Sequence, residues 1–252
     1  MGAKIIAIAN KKGGVGKTSI TINLAIEMAK SHRVLVVDLD SQANTTSCLV
    51  DNFRDLSFTT LTLFMDRRFL ATKAVVQCNP NSRYIDNLYI IGAHLKLQDA
   101  YEHVNSRSGR DTILKRHLEH LRKDFDVILV DCPPDTGPAT INALTACDLV
   151  LVPVDGSFSV DAIQDILETM SETDNDNLDY VIVINKHDKR SKKFNSDVDG
   201  LLVDHQVAST KIRVSKPINN SQMEYIPLTF YSGDKSAEED YNSLAKEIWD
   251  YV

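Results

Sequence analysis

A chain of 252 residues with 43% hydrophobic and 25% charged side chains has the make-up of a soluble globular protein with a substantial core. No run approaches the roughly 18 consecutive apolar residues of a membrane-spanning helix, which excludes an integral helical membrane protein. The net charge of −7 argues against a protein that is basic overall, but it does not say where the positive charges are gathered.

In chain order, Met1-Gly2-Ala3-Lys4 leads straight into apolar residues, unlike a signal peptide, and Ile6 stands where a myristoylation motif needs Ser or Thr. Ile5 to Ala9 reads as a buried strand ending at Asn10, with glycines after it. Thr18 to Lys30 places Ile22, Ala25, Ile26 and Ala29 on one helical face, and Arg33 to Asp38 is a second buried strand. Leu88 to Ile91 is a weaker strand, and Asp111 to Lys123 an amphipathic helix. Three further apolar runs, Val127 to Val130, Leu149 to Val154 and Val181 to Ile184, are separated by helical patterns over Ala139–Ala146 and Val160–Met170. A last helix is predicted from Ser236 to Tyr251, with Tyr241, Leu244, Ile248 and Trp249 turned inward. Near-continuous β-branched and leucine strands alternating with helices predict an α/β fold, a doubly wound, mostly parallel sheet with helices on both faces. No repeat or linker divides the chain, so residues 1–252 read as one domain. Cys48, Cys78, Cys132 and Cys147 are scattered, without CxxC or His at metal spacing, and read as free thiols in a reducing cytosol.

The strongest chemical signal is Gly13-Gly14-Val15-Gly16-Lys17-Thr18, after the first strand and opening the first helix. Glycines there let backbone N–H groups turn around phosphate oxygens, and the helix N-terminus adds its positive end. Lys17 supplies a point charge for the β- and γ-phosphates, and the Thr18 hydroxyl is placed for Mg²⁺. Lys12 replaces the first glycine of the usual motif. A second lysine is hard to explain within one subunit, and one reaching the phosphates of a facing subunit would explain it. Asp38, Asp40 and Asp131 end buried apolar strands, where a carboxylate is costly unless a cation or donor compensates it.

Lys12-Gly13-Gly14-Val15-Gly16-Lys17-Thr18, Asp38-Leu39-Asp40, Asp131-Cys132-Pro133-Pro134 and Leu151-Val152-Pro153-Val154 together resemble the deviant Walker A family of P-loop ATPases, and most of all its ParA partition branch, over nearly the whole chain. Ser41 departs from it, standing where proline is usual. The resemblance implies ATP and Mg²⁺ as cofactors and a homodimer with Lys12 contacting the partner's phosphates. It places Lys12, Gly13, Gly14, Val15, Gly16, Lys17, Thr18, Ser19, Asn185 and Arg213 at the nucleotide. Thr18, Asp38 and Asp131 fall at the metal, and Asp40 orients the attacking water. It further implies non-specific binding of duplex DNA, a ParB-like activator, and a cytoplasmic, nucleoid-associated location.

Asn185-Lys186-His187-Asp188 spells the N-K-x-D of GTPases, which keeps GTP as an alternative; under the ParA resemblance the same loop borders adenine. Lys189, Arg190, Lys192 and Lys193 follow at once, a dense run of cations suited to phosphate contacts. The ParA resemblance points to Lys189, Arg190, Arg213 and Lys216 as the DNA surface. A membrane-cycling relative like MinD would need a basic amphipathic C-terminus, whereas this one is acidic. A cluster-carrying relative would need paired cysteines in glycine-rich loops, and neither Cys132 nor Cys147 fits.

Overall fold

The computed structural model describes residues 2–175, 178–231 and 235–252. Seven strands, β1 (Lys4–Ile8), β2 (Val34–Asp38), β3 (Val76–Gln77), β4 (Leu88–Ile91), β5 (Val127–Asp131), β6 (Leu149–Val154) and β7 (Asp179–Ile184), form one sheet in the order β3-β4-β2-β5-β1-β6-β7. Every pairing is parallel except that of the two-residue edge strand β3 with β4. The doubly wound, mostly parallel architecture expected from the apolar runs is therefore present.

The helices are α1 (Lys17–Ala29), α2 (Asn44–Leu49), α3 (Thr60–Met65), α4 (Leu97–Val104), α5 (Ile113–Glu119), α6 (Pro138–Ala146), α7 (Ser157–Ser171), α8 (Lys192–Leu201), α9 (Lys216–Met223) and α10 (Lys235–Trp249). Alternate strand residues feed two cores because successive side chains point to opposite faces. Ile5, Leu35, Ile128 and Val150 join α3 to α8 on one face, while Ile6, Val34, Val127 and Leu149 join α1, α2, α9 and α10 on the other. Both faces are covered, which is why the strands need no polar alternation.

Two expectations require correction. The helix anticipated over 111–123 is shorter: a 3₁₀ turn over Arg110–Thr112 precedes α5, and after it the chain bends so that Arg122 reaches the Asp148 carboxylate at 2.8 and 3.1 Å. Tyr241, Leu244 and Ile248 of α10 are buried as anticipated, but Trp249 is 38% exposed and lies over the His32 ring, with centroids 3.7 Å apart. The four cysteines are free and buried. Among the described residues no helix is long and apolar enough to cross a membrane.

Order at the carboxyl edge follows from this topology. β1 lies between β5 and β6, so the chain leaves β1 and β5 toward different sides, and the crevice between them opens where the phosphate loop begins. Asp38, Asp131, Asp155 and Asn185 end or follow β2, β5, β6 and β7 at this same edge.

Candidate functional site

Backbone geometry makes the loop before α1 a cradle. Gly14 and Gly16 have φ of 75° and 100°, a region that side chains rarely adopt. A Cβ on Gly16 would stand 2.0 Å from the Asn185 side-chain nitrogen, so that position has no room for one. Asn185 donates from that nitrogen to the Val15 carbonyl at 2.8 Å. Asn10, fully buried, donates to the Pro153 carbonyl at 2.8 Å and accepts from the Lys12 N–H at 2.8 Å. Two asparagines thus fasten the loop to the ends of β6 and β7.

In front of the loop lies a cavity of about 440 Å³, a size suited to a small-molecule ligand. Gly13, Gly14, Gly16, Lys17, Thr18 and Ser19 line one end of it, and Asp40 is also part of the wall. The Lys17 ammonium donates to the carbonyls of Asn10 at 2.9 Å and Lys12 at 3.1 Å. Burial lowers its pKa, against the opposing pull of Asp131 and other acids. The Ser19 hydroxyl is buried against this cavity with no hydrogen-bond partner, a donor that a bound phosphate would satisfy.

Asp38 and Asp131 are direct register partners on adjacent strands. Hydroxyls compensate them unequally. Asp131 accepts from Thr45 at 2.5 Å, Thr18 at 3.0 Å and Thr21 at 3.2 Å. Asp38 accepts from the Thr46 hydroxyl at 2.6 Å, the Thr46 N–H at 3.0 Å and the Asp40 N–H at 3.0 Å. Burial, and for Asp38 next the adjacent Asp131, raises both carboxyls above the usual range, Asp38 the more. Neither lines the cavity; Asp38 sits behind Asp40 and fixes its backbone. Asp40 itself is half-buried at the cavity, one carboxylate oxygen accepting the Gln42 N–H at 2.9 Å.

Among the described residues no three His, Cys, Asp or Glu side chains are grouped to hold a metal. The Thr18 hydroxyl beside Asp131 fits instead a hard cation that keeps most of its shell from water and phosphate, as Mg²⁺ does.

Lys12 does not line the cavity. Its ammonium pairs with Asp155 at 2.9 Å, and Asp155 also takes Lys186 at 3.2 Å. Lys186, with φ of 51°, donates as well to the Gly14 carbonyl at 2.6 Å. Asn185 stands behind the loop and likewise does not line the cavity, and Asp188 is turned away to Arg190 at 2.8 Å. The Arg190 guanidinium holds the Asp188 carboxyl down at about 2. The N-K-x-D residues therefore brace the loop and its flank, and none of the four reaches the cavity.

Lys189, Arg190 and Arg213 gather around one groove of about 260 Å³, while Lys216 is the exposed first residue of α9, three positions beyond Arg213. Arg213 is bound by both arms of its fork to Asp240 of α10, at 2.7 Å each. Sequence reasoning missed Asn10, Asp155, the Thr45 and Thr46 hydroxyls and the contact of Lys186 with the loop, and also Ser221, Gln222 and Tyr225 to Leu228, which line the cavity with the loop. Asp155 carried the same signal as Asp131, a carboxylate directly after a buried apolar strand.

The model of the AAA domain family matches residues 3–182. The sporulation initiation inhibitor protein Soj of Bacillus subtilis is 37% identical over 169 residues, 66% of this chain and 64% of that relative, so the match leaves about a third of its length uncovered. The chromosome-partitioning ATPase Soj of Treponema pallidum is 28% identical over 97% of this chain and 96% of its own. A cobyrinic acid a,c-diamide synthase from Mycobacterium smegmatis, solved with a bound ATP analogue and magnesium, superposes with a TM-score of 0.81 at 25% identity, covering 99% of this chain and 95% of the other. The chain belongs to the AAA domain family and, within it, to the P-loop ATPases of ParA/Soj type.

Proposed function

We propose that this chain is a Mg²⁺-dependent ATPase whose ATP-bound dimer holds duplex DNA without sequence preference and lets it go on hydrolysis, under stimulation by a ParB-like partner. The observation that carries the reading is the division of labour between the two lysines of one loop. Lys17 lies buried against the cavity, whereas Lys12 is directed away from it to Asp155. A loop lysine outside its own cavity supports a role on the phosphates of a facing subunit, like that of a finger residue.

Within one subunit, the loop N–H groups, Lys17 and the Ser19 hydroxyl bind and neutralise phosphate oxygens. Thr18 and Asp131 would hold Mg²⁺, which when bound draws charge off the β- and γ-phosphates. Asp40, fixed through its backbone by Asp38, orients the attacking water in line with the γ-phosphorus. Lys12 of the facing subunit neutralises the charge that develops on the transferring group. Lys189, Arg190, Arg213 and Lys216 are the DNA contacts of this reading, two copies aligned in the dimer.

A synthase reading, in which a substrate carboxylate rather than water accepts the phosphoryl group, has the solved structures of the diamide synthase behind it. Retention of the purified protein on duplex DNA, measured with ATP, ADP and no nucleotide at two salt concentrations, separates the two. The switch requires salt-sensitive retention in ATP alone, and equal retention in ATP and ADP refutes it.

A further inference from the structure

We propose that Tyr225 is the base platform of the nucleotide site, stacking on a purine and gripping it by its face rather than reading its edge. The inference rests on the nucleotide reading above and extends it to a residue that no motif marks.

The cavity runs from the glycines to Ser221–Leu228. With phosphates held at the glycine end, the base falls to the other. There Ile22 of α1, Ile226, Pro227 and Leu228 line the cavity, and Tyr225 contributes the one aromatic ring of the lining among the described residues. Among the described residues no charged side chain lines the cavity there. Asn185, the base contact expected from sequence, has its amide nitrogen committed to the Val15 carbonyl behind the loop.

Backbone geometry singles out Tyr225 independently. The Ile226 N–H donates to the Ser221 carbonyl at 3.0 Å and the Tyr225 N–H to the Gln222 carbonyl at 3.2 Å, the paired bonds that close a helix C-terminus over a left-handed residue. That residue is ordinarily glycine, because a side chain is strained there. Here it is Tyr225, with φ of 53° and 55% of its surface exposed. A tyrosine in the glycine position gains nothing in the core, so its ring is retained for what enters the cavity. Every base has a π-face, and a stacking platform therefore tolerates adenine and guanine alike.

Calorimetric titration of ATP, GTP and inorganic tripolyphosphate, each with Mg²⁺, into the wild type, Tyr225→Phe, Tyr225→Ala and Tyr225→Gly tests this. Phe should bind ATP within about twofold of wild type, whereas Ala and Gly should bind both ATP and GTP about tenfold more weakly. Tripolyphosphate, which has no base, should bind all four proteins equally. The Gly variant removes the backbone strain together with the ring, so its loss of affinity cannot be a folding defect. Undiminished ATP affinity in the Gly variant overturns the proposal, as does an equal loss for tripolyphosphate or a loss confined to one base. Wild type that binds tripolyphosphate as tightly as ATP overturns the platform but leaves the phosphate site standing. Wild type that binds none of the three overturns both.

Discussion

The phosphate loop and the loops that carry Lys189, Arg190 and Arg213 border the same edge of one sheet, yet Lys17 is held in a way opposite to Arg190 and Arg213. Lys17 is held by carbonyl oxygens, which orient an ammonium without cancelling it. Arg190 and Arg213 are held by the carboxylates of Asp188 and Asp240, which do cancel them. The first arrangement presents charge to a ligand at once. The second can serve phosphate only by exchanging one anion for another, which makes it weak in a single copy and conditional on its surroundings.

The sharpest way to break that comparison is at the loop itself. Lys12→Ala should lower ATP turnover by about 10³-fold, the scale of a finger residue, with nucleotide affinity of the monomer nearly unchanged. Phosphate-release kinetics beside equilibrium binding check it, and normal turnover would remove the role in the facing subunit. Asp40→Ala should slow hydrolysis by about 10²-fold and trap an ATP-bound dimer in size-exclusion chromatography, since positioning of the water is lost while the phosphate contacts survive. Lys17→Ala should instead lose nucleotide binding, and identical behaviour of the two variants would undo their separate roles.

Smaller effects sharpen the other half. Lys216→Glu should weaken DNA retention across all sequences and reduce the salt slope by about one, with ATP-driven dimerisation intact. Asp240→Asn should move DNA affinity the other way, by a few-fold, because it removes the carboxylate charge that pairs with the Arg213 fork; an unchanged affinity would place Arg213 outside the DNA surface.

The smallest expected effect concerns pH. Asp38 and Asp131 hold their protons more tightly folded than unfolded, so the folded chain binds more protons, and their contribution to stability falls as pH rises above the ordinary carboxylate value of 3.8. Thermal unfolding without nucleotide should show Asp38→Asn losing less stability than wild type between about pH 5 and 8. Parallel curves for the two proteins would contradict the raised value.

What could be read from the sequence follows from how far each signal reaches along the chain. β1, β2, β5, β6 and β7 are continuous apolar runs because both sheet faces are covered, and local pattern suffices to find them. Gly13 to Thr18 is equally local. The two-residue β3 and the short α2 and α3 have no periodicity long enough to recognise, and packing against β4 and α5 sets them. Asp155, directly after the apolar run of β6, carries the same local signal as Asp131. Tyr225 and Asp240 could not be found that way. Their significance depends on the cavity Tyr225 shares with α1 and on the ion pair of Asp240 with Arg213, and no spacing encodes either.

Trp249 lies at the opposite end of α1 from the phosphates. Thirteen helical residues at about 1.5 Å each put roughly 20 Å between the loop and the His32 ring on which the indole rests. As the chain's single tryptophan, it makes intrinsic fluorescence a one-site optical gauge of the seam between α1 and α10. It is too distant to sense a nucleotide by touch. A change in emission on adding ATP would therefore register the helix moving as a rod, and a steady signal would mark that seam as the fixed ground against which the loop works.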